Sequence, residues 1–543
     1  MLIVAAVTGA GLTRFPSLNG DEGIYTQQAR AVLHGSLSPY TYTYDHPFLG
    51  WVQLSVFAGV AQALHLGGAL SVVNTRFVML ALQLVNVGLV YGIARRIGLQ
   101  WMVATLGVLL FALSPLTIDL TRQVYLDNIA MPWVLLAFYL MLNRGRNQWT
   151  YACAGAVFAV GVLSKETVVL LLPALACLLY RQVGSALRLM VVTLTGAMFA
   201  VLVMAYPLFA LLRGELLPGA GHVSLWTNGI MYQLASRAGS GAIWTATSNK
   251  RQLLAGWLSF DHFLLAAGLI AAVLTVLDRK FRWLTVAVLM TALPILKPGG
   301  YLPAMYVVIA LPFLALSIAA ALGSAWAKVQ PSNLGKWVVA IVGTLMVVTA
   351  GPSYAQGHSK VTADTIGPAA GALHFLLTHV SSADTVLTDD SFIVDLNRHG
   401  LIDPWHGAVS YYKYDLDPSA RKQLPHGYQD LTLIVDTPQM RNDIVSENLQ
   451  YTGTAVGHSY VIASFGDGDA RIEIRKLGTA PPALLPAPPS ATPRAEQARA
   501  QVTLLERQFS YSTDMIERER LLAERHRLLT ENGTLVSDPG PRQ

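Results

Sequence analysis

Charge is scarce in this chain. Asp, Glu, Lys and Arg make up only 13% of its 543 residues, against about 25% in a soluble domain. With 53% hydrophobic residues and a mean hydropathy of +0.45, a wholly soluble fold is excluded. Cysteine is nearly absent as well. The two that occur, Cys153 and Cys177, lie inside apolar runs, which excludes a disulfide framework and a thiolate metal site and leaves them as small core residues. The N-terminus lacks the basic start and small-residue cleavage site of a signal peptide. Its first apolar run, Leu2 to Phe15, makes about 21 Å of helix, short against a hydrocarbon core of about 30 Å. That mismatch implies either a helix truncated at an incorrect start or a locally thinned bilayer. No internal repeat is apparent at a solenoid period.

Long apolar runs, by contrast, recur as far as residue 352. They predict a polytopic α-helical membrane protein with about 11 transmembrane helices, near 2–17, 72–94, 101–118, 127–143, 150–164, 166–180, 189–211, 262–277, 283–297, 301–323 and 337–353. The net charge of +6 and pI near 9.1 come from short basic loops: Arg95-Arg96, Arg144/Arg146, Arg181/Arg188, Arg279-Lys280 with Arg282, and Lys328/Lys336. With the N-terminus inside, all five fall on the cytoplasmic side, as the positive-inside rule requires. The basic balance therefore reflects membrane orientation, and a nucleic-acid partner is discounted. The run 48–66 carries Gln53, Gln62 and His65, ends in Gly67-Gly68, and is assigned to the outer surface as a juxtamembrane or re-entrant helix.

The predicted organisation is a transmembrane module over 1–355, including juxtamembrane helices within 22–66 and a long loop 212–260. A small extracytoplasmic mixed α/β domain follows over 356–478, with a helix at Pro368–Val380 and strands near 385–388, 431–435, 460–463 and 471–474. A Pro/Ala-rich linker covers 479–494, and a charged, partly helical or disordered tail covers 495–543. The multi-pass cell-membrane location places the acidic pair described next, the Arg122–Asp127 loop and the C-terminal domain outside.

The acidic pair is Asp21-Glu22, within Asn19-Gly-Asp-Glu-Gly-Ile-Tyr25. Adjacent carboxylates at the mouth of an apolar bundle suit deprotonation of a hydroxyl, or a divalent cation beside a phosphate. The competing reading is structural: Asp21 caps the helix that follows and Glu22 sits favourably in its dipole. Downstream come Tyr44-Asp-His46-Pro-Phe-Leu-Gly50, Ser114-Pro115, Arg122-Gln-Val-Tyr-Leu-Asp127 and Leu163-Ser-Lys165-Glu166. For Arg122 the alternative to a phosphate contact is a membrane-edge arginine reaching outward. Asp127 serves either a ligand or the start of the span beginning there. Lys165 stands on the outer side, where the positive-inside rule disfavours it, with Glu166 as its structural partner.

In order and spacing these elements resemble the protein O-mannosyltransferase and aminoarabinose-transferase branch of the GT-C superfamily of membrane glycosyltransferases (glycosyltransferase family 39-like). The resemblance covers residues 10–180 well and continues loosely through Tyr206-Pro207 and Pro298-Gly-Gly-Tyr-Leu-Pro-Ala-Met-Tyr306. Phe48 stands where the mannosyltransferase motif has a second proline, and no accessory sugar-binding domain is evident, so the acceptor is left open. The resemblance implies a hexosyl- or pentosyltransferase that moves a sugar from a polyprenyl-phosphate donor to an extracytoplasmic acceptor hydroxyl on protein, lipid or envelope glycan. It implies Asp21 as general base in an inverting reaction, with Glu22 assisting or the Asp21/Glu22 pair holding Mg or Mn. It also implies His46, Arg122, Asp127 and Lys165 as substrate-binding residues, Arg122 and Lys165 against the departing phosphate. No organic cofactor is expected. The alternative is a transporter or lipid flippase, for which repeated halves and mid-span charges would be expected. A non-catalytic assembly role is a third reading, and it predicts that the acidic pair is dispensable.

Overall fold

The structure, a computed structural model, describes residues 1–64, 70–143, 147–219, 221–237, 239–329, 333–381, 383–398 and 407–478. The Arg144/Arg146 loop, His65, Gly67-Gly68, the linker 479–494 and the tail 495–543 lie outside the described residues. The chain divides into two compact units. Of the described residues, the first comprises those within 1–384 and 388–408, the second those within 385–387 and 409–478.

The first unit is helical: α1 (Leu2–Gly9), α2 (Gly20–Leu33), α3 (Leu49–Ala63), α4 (Ser71–Arg96), α5 (Trp101–Ala112), α6 (Pro115–Arg122), α7 (Leu126–Met141), α8 (Gln148–Ser164), α9 (Leu172–Gln182), α10 (Ser185–Val203), α11 (Ala205–Leu212), α12 (Asn249–Leu274), α13 (Arg282–Leu296), α14 (Leu311–Val329), α15 (Asn333–Val361), α16 (Gly367–His379) and α17 (Asp390–Arg398). Among the described residues, four stretches are long and apolar enough to cross a membrane: Ser71–Arg96, Ser185–Leu212, Asn249–Leu277 and Ala304–Lys328. The count becomes five if α5 and α6, bent by 58°, form one span. That bend falls where Pro115 follows Ser114, since proline lacks the N–H and disfavours a helical residue before it. The predicted spans 127–143, 150–164 and 283–297 are helices of 16, 17 and 15 residues.

The span expected at 2–17 is replaced by an eight-residue helix. It stops because Ala10 is extended and Gly11 takes a φ of 76°, a conformation open to glycine. The chain through Arg14 and Pro16 then turns back toward α4. Further on, α12 begins well before the expected residue 262 and breaks at Asp261 (φ −153°, ψ 87°), whose carboxylate accepts the Leu264 N–H at 2.8 Å. Deep in the bundle Phe138 stacks on Trp283 and both meet Phe313 edge-on, at centroid separations of 5.1 to 6.4 Å. They join α7, α13 and α14 into one apolar core.

The second unit is built on a five-stranded sheet of order β2-β1-β3-β5-β4, where β1 is Val386–Thr388, β2 Ala408–Ser410, β3 Leu433–Asp436, β4 Ser459–Phe465 and β5 Ile472–Leu477. β1 runs parallel to β3, while β5 is antiparallel to both β3 and β4. The mixed sheet matches the α/β character expected from the sequence. Four of its strands fall in segments that read as strand-like in the sequence; β2, three residues long, is not among them. At its centre Arg475 bonds Glu473 at 2.6 Å and lies 3.7 Å from Asp436.

Candidate active site

Asn19 starts α2 with a capping box: its side chain accepts the Asp21 N–H at 2.9 Å, and the Glu22 carboxylate accepts the Asn19 N–H at 3.3 Å. The two acidic residues then part company. Glu22 is fully buried and all its lone pairs are engaged. Arg76, from within α4, donates to both oxygens (Nε at 2.9 Å, Nη2 at 2.5 Å), and the Val124 N–H donates at 2.9 Å. The rest of the Arg76 fork donates to the Pro16 and Ser17 carbonyls. Glu22 therefore anchors α2 to α4, to the chain after α1 and to the loop ahead of Asp127. It has no valence left for catalysis or for a cation, so the expected Asp21/Glu22 metal pair does not fit. Among the described residues no group of three or more His, Cys, Asp or Glu could hold a metal ion. Asp21 is only half-buried, and its carboxylate has no hydrogen-bond or ion-pair partner among the described residues.

α2 is held from its other side by α17. Gln27 donates to the backbone and side chain of Asp390 at 2.9 and 2.7 Å. Gly23 allows this approach, because a Cβ there would lie 2.4 Å from the Ser391 nitrogen. Ser71, opening α4, donates to Asp395 at 2.5 Å.

Tyr25 stands one turn along from Asp21. Its hydroxyl is pushed above the ordinary tyrosine range, first by burial and then by the carboxylates of Asp21, Asp127, Asp45 and Glu166. Tyr25 is thus the hub on which four acidic residues converge, and it stays a neutral donor at physiological pH. His46 lies beside it, ring centroids 6.3 Å apart. Its Nδ1 is 3.1 Å from Glu166, and the Lys165 ammonium is 3.0 Å from its Nε2. A lysine only donates and a carboxylate only accepts, so these partners assign Nδ1–H to Glu166 and leave Nε2 accepting from Lys165. Lys165 is nearly buried and lies 4.0 Å from Glu166. Gly50 makes the arrangement possible: a Cβ there would come within 2.6 Å of the Ser164 carbonyl, so only glycine lets α3 start against the end of α8.

Asp127 is buried in the first turn of α7. It does not cap that helix, whose capping position is Tyr125. The charged groups that act on it are Lys165, Glu166 and His46, and one carboxylate oxygen is buried with no partner among the described residues. The hydroxyl of Tyr306, within electrostatic reach of Asp127, is likewise buried and unpartnered. The structure therefore brings together Asp127, His46 and Lys165 with Glu166 and Tyr25, adjoining Asp21.

Arg122 is elsewhere engaged. Its three nitrogens donate to the carbonyls of Thr8, Ala10 and Val361, at 3.0 Å for Thr8 and 3.2 Å for Val361, which ties the end of α1 to the end of α15. It is buried, so the membrane-edge reading fails too, and the expected phosphate contact is replaced by a structural tie. Lys250, expected in a loop over 212–260, lies instead in the first turn of α12 and is also committed, donating to the Pro294 and Lys297 carbonyls at 3.2 and 2.6 Å. Arg237 stacks 3.5 Å above the Tyr301 ring.

Three residues escaped the sequence reading. Arg76 carried a signal, being an ionisable group inside a long apolar run. Asp45, directly before His46-Pro47, also presents a partner-free carboxylate among the described residues. Tyr44 before it holds a φ of 59°, a strained region for a non-glycine residue. Its hydroxyl donates to Glu215 and its carbonyl accepts from Tyr206 at 3.2 Å. The Arg213 guanidinium, foremost, keeps the Glu215 carboxyl below the ordinary range, with Tyr44 assisting. A depressed carboxyl contributes stability above its unfolded pKa and loses it as pH falls through the folded value. The Tyr44 clasp is therefore intact at neutral pH and should loosen only as pH falls below the ordinary glutamate range, read as faster proteolysis of the segment between α11 and α12 in acid.

Residues 47–209 match the family described as dolichyl-phosphate-mannose-protein mannosyltransferase. No curated protein sequence matches the chain. Among solved structures it is similar to ArnT from Cupriavidus metallidurans bound to undecaprenyl phosphate, with a TM-score of 0.54 at 15% identity, covering 90% of this chain and 98% of that one. The apo state of the same protein gives a TM-score of 0.51 at 14% identity, covering 88% and 97%. The Archaeoglobus fulgidus oligosaccharyltransferase tethered to an acceptor peptide gives 0.50 at 12% identity, covering 86% of this chain and 73% of that one. At such identities the likeness is one of fold. The resemblance read from the sequence is thus met by a family match over residues 47–209 and by a fold similar to those of ArnT and the archaeal oligosaccharyltransferase.

Proposed function

We propose that this protein is a membrane glycosyltransferase that transfers a sugar from a polyprenyl-phosphate donor to an extracytoplasmic acceptor hydroxyl, with inversion at the sugar. The observation that carries the reading is the partner-free carboxylate of Asp21, on a helix whose register is locked by the neighbouring Glu22. The family match and the undecaprenyl phosphate bound to ArnT support the donor class. Asp21 takes the proton from the acceptor hydroxyl as its oxygen bonds to C1 of the sugar. The C1–O bond to phosphate breaks, and the electron pair leaves with the lipid phosphate. Lys165, with one contact to His46 and donors to spare, stabilises the charge on that phosphate. Asp127 and Tyr306 offer buried polar groups to sugar hydroxyls. Mass spectrometry of lipid extracted from the purified protein should find a polyprenyl phosphate or its sugar conjugate; its absence, together with no transfer from such donors, would refute the donor class.

Two outcomes separate the cationic residues. Lys165→Ala should weaken donor binding by about tenfold or more, the scale of one charge-assisted contact, with little change for acceptor. Arg122→Ala should instead lower the melting temperature and leave donor affinity of the folded fraction unchanged. Donor titrations on both variants, after correct insertion is checked, decide between these roles.

The orientation we propose places the site and the C-terminal domain outside. It is supported by the gathering of basic loops, where Arg181 donates to the Lys280 carbonyl. Gly23 is a poor labelling position because it is packed against α17, whereas His34 and Ser185 are exposed. In a background lacking Cys153 and Cys177, His34→Cys should react with an impermeant thiol reagent in intact cells and Ser185→Cys should not. The reverse pattern would overturn the orientation.

A further inference from the structure

Where α4 ends and α5 begins, the surface sinks into a cavity of about 660 Å³ whose lining includes Tyr91, Arg95, Arg96, Gln100 and Tyr139 and contains no carboxylate. Nothing in the proposed transfer reaction uses it. Each arginine spends one nitrogen on the protein: Arg95 donates to the Leu99 carbonyl and Arg96 to the Tyr139 carbonyl, both at 2.6 Å. The Arg96 guanidinium also lies 3.5 Å above the Tyr139 ring, which fixes its plane. Their remaining donors have no acceptor among the described residues. A third cation borders the site, since the Lys280 ammonium lies 3.0 Å from where a side chain at Gly98 would start. α5 begins beside it without a side-chain cap. Trp101 and Met102, in the first turn of α5, are 59% and 61% exposed, and Tyr91 opens outward as well. Exposed aromatic residues at the end of a membrane helix mark the headgroup level of a bilayer.

We propose that this cavity binds the phosphate headgroup of an anionic membrane phospholipid. Arg95 and Arg96 present planar forks to the phosphate oxygens. A lipid rather than a free anion is favoured because the cavity opens at interface depth, beside side chains suited to acyl chains and glycerol. Basic pockets between helices at the cytoplasmic surface are suited to such headgroups. The site does not depend on the catalytic reading.

The test uses the full chain in nanodiscs of phosphatidylcholine, with phosphatidylglycerol added stepwise and retained lipid counted by native mass spectrometry. Wild-type protein should retain phosphatidylglycerol in preference to phosphatidylcholine, and Arg95→Gln with Arg96→Gln should reduce that preference by about fivefold per arginine. Because Arg96 also ties α4 to α7, Gln100→Glu supplies a second variant. It adds a negative charge at the lining, removes no hydrogen bond that Gln100 makes to a helix cap, and should reduce the preference with an unchanged melting temperature. Inorganic phosphate in phosphatidylcholine nanodiscs distinguishes the source. Equal phosphatidylglycerol retention in wild type and all variants, or binding of inorganic phosphate with no lipid preference, would overturn the proposal.

Discussion

Asp21→Asn should lower sugar transfer by about 10²-fold or more, the scale of a lost general base, while the protein inserts, folds and binds donor as before. The substitution keeps the size of the side chain and leaves its N–H bond to Asn19 untouched. Since the carboxylate makes no hydrogen bond or ion pair among the described residues, its loss breaks nothing structural. The neighbouring Tyr25 hydroxyl loses one of the carboxylates that raise its pKa, a change that leaves it protonated at neutral pH. The measurement is single-turnover transfer from a polyprenyl-phosphate sugar, with donor affinity determined separately. A variant with normal donor affinity and a rate depressed across the acidic and neutral range identifies the base. Near-normal turnover would revive the assembly role. Asp45 is the second candidate, as a partner-free carboxylate within electrostatic reach of the same tyrosine. Asp45→Asn should cost much less than Asp21→Asn, and the opposite ranking would move the base to Asp45.

What could be read from the sequence follows from the range of each signal. Apolar length alone marks α4, α12 and α14, and short runs rich in β-branched and apolar residues mark β1, β3, β4 and β5, because both properties are local. The motif order put His46, Asp127 and Lys165 in one neighbourhood, where the structure has them. The role of Glu22 was hidden because its partner Arg76 is 54 residues away. Arg122 misled in the same way: it lies in a matching motif, yet its acceptors are the carbonyls of Thr8, Ala10 and Val361. An arginine fork that closes on backbone carbonyls from distant helices looks, in sequence, like one waiting for phosphate. The support of α2 by α17 spans 363 residues, and only Gly23 hinted at a close approach. The first helix was overestimated because hydropathy does not register that Gly11 leaves the right-handed region.

Glu22→Gln should destabilise the fold by about 3–5 kcal/mol, the usual result of stripping one partner from a buried ion pair. Glu22 and Arg76 are both fully buried, so the variant leaves the guanidinium without the carboxylate that is hydrogen-bonded to it in the protein interior. Arg76→Lys should fare little better, since an ammonium cannot reproduce the two contacts to Glu22 together with those to Pro16 and Ser17. These predictions are read as lost melting temperature and lost folded yield, and they separate Glu22 from Asp21. If Glu22 were catalytic, Glu22→Gln would fold normally and fail to turn over. If it is the anchor of α2, the folded fraction should retain transfer activity within a few-fold. The decisive comparison is the double variant Glu22→Gln with Arg76→Met. It removes both charges, leaves a side-chain oxygen to accept from Val124, and replaces the guanidinium with an apolar side chain. Breaking a buried pair is costly mainly through the charge left behind, so removing both partners should restore most of the stability lost in Glu22→Gln alone. Recovery of stability together with transfer activity would establish that Glu22 positions α2 for Asp21 rather than acting on substrate. Recovery of stability without activity would return Glu22 to the chemistry.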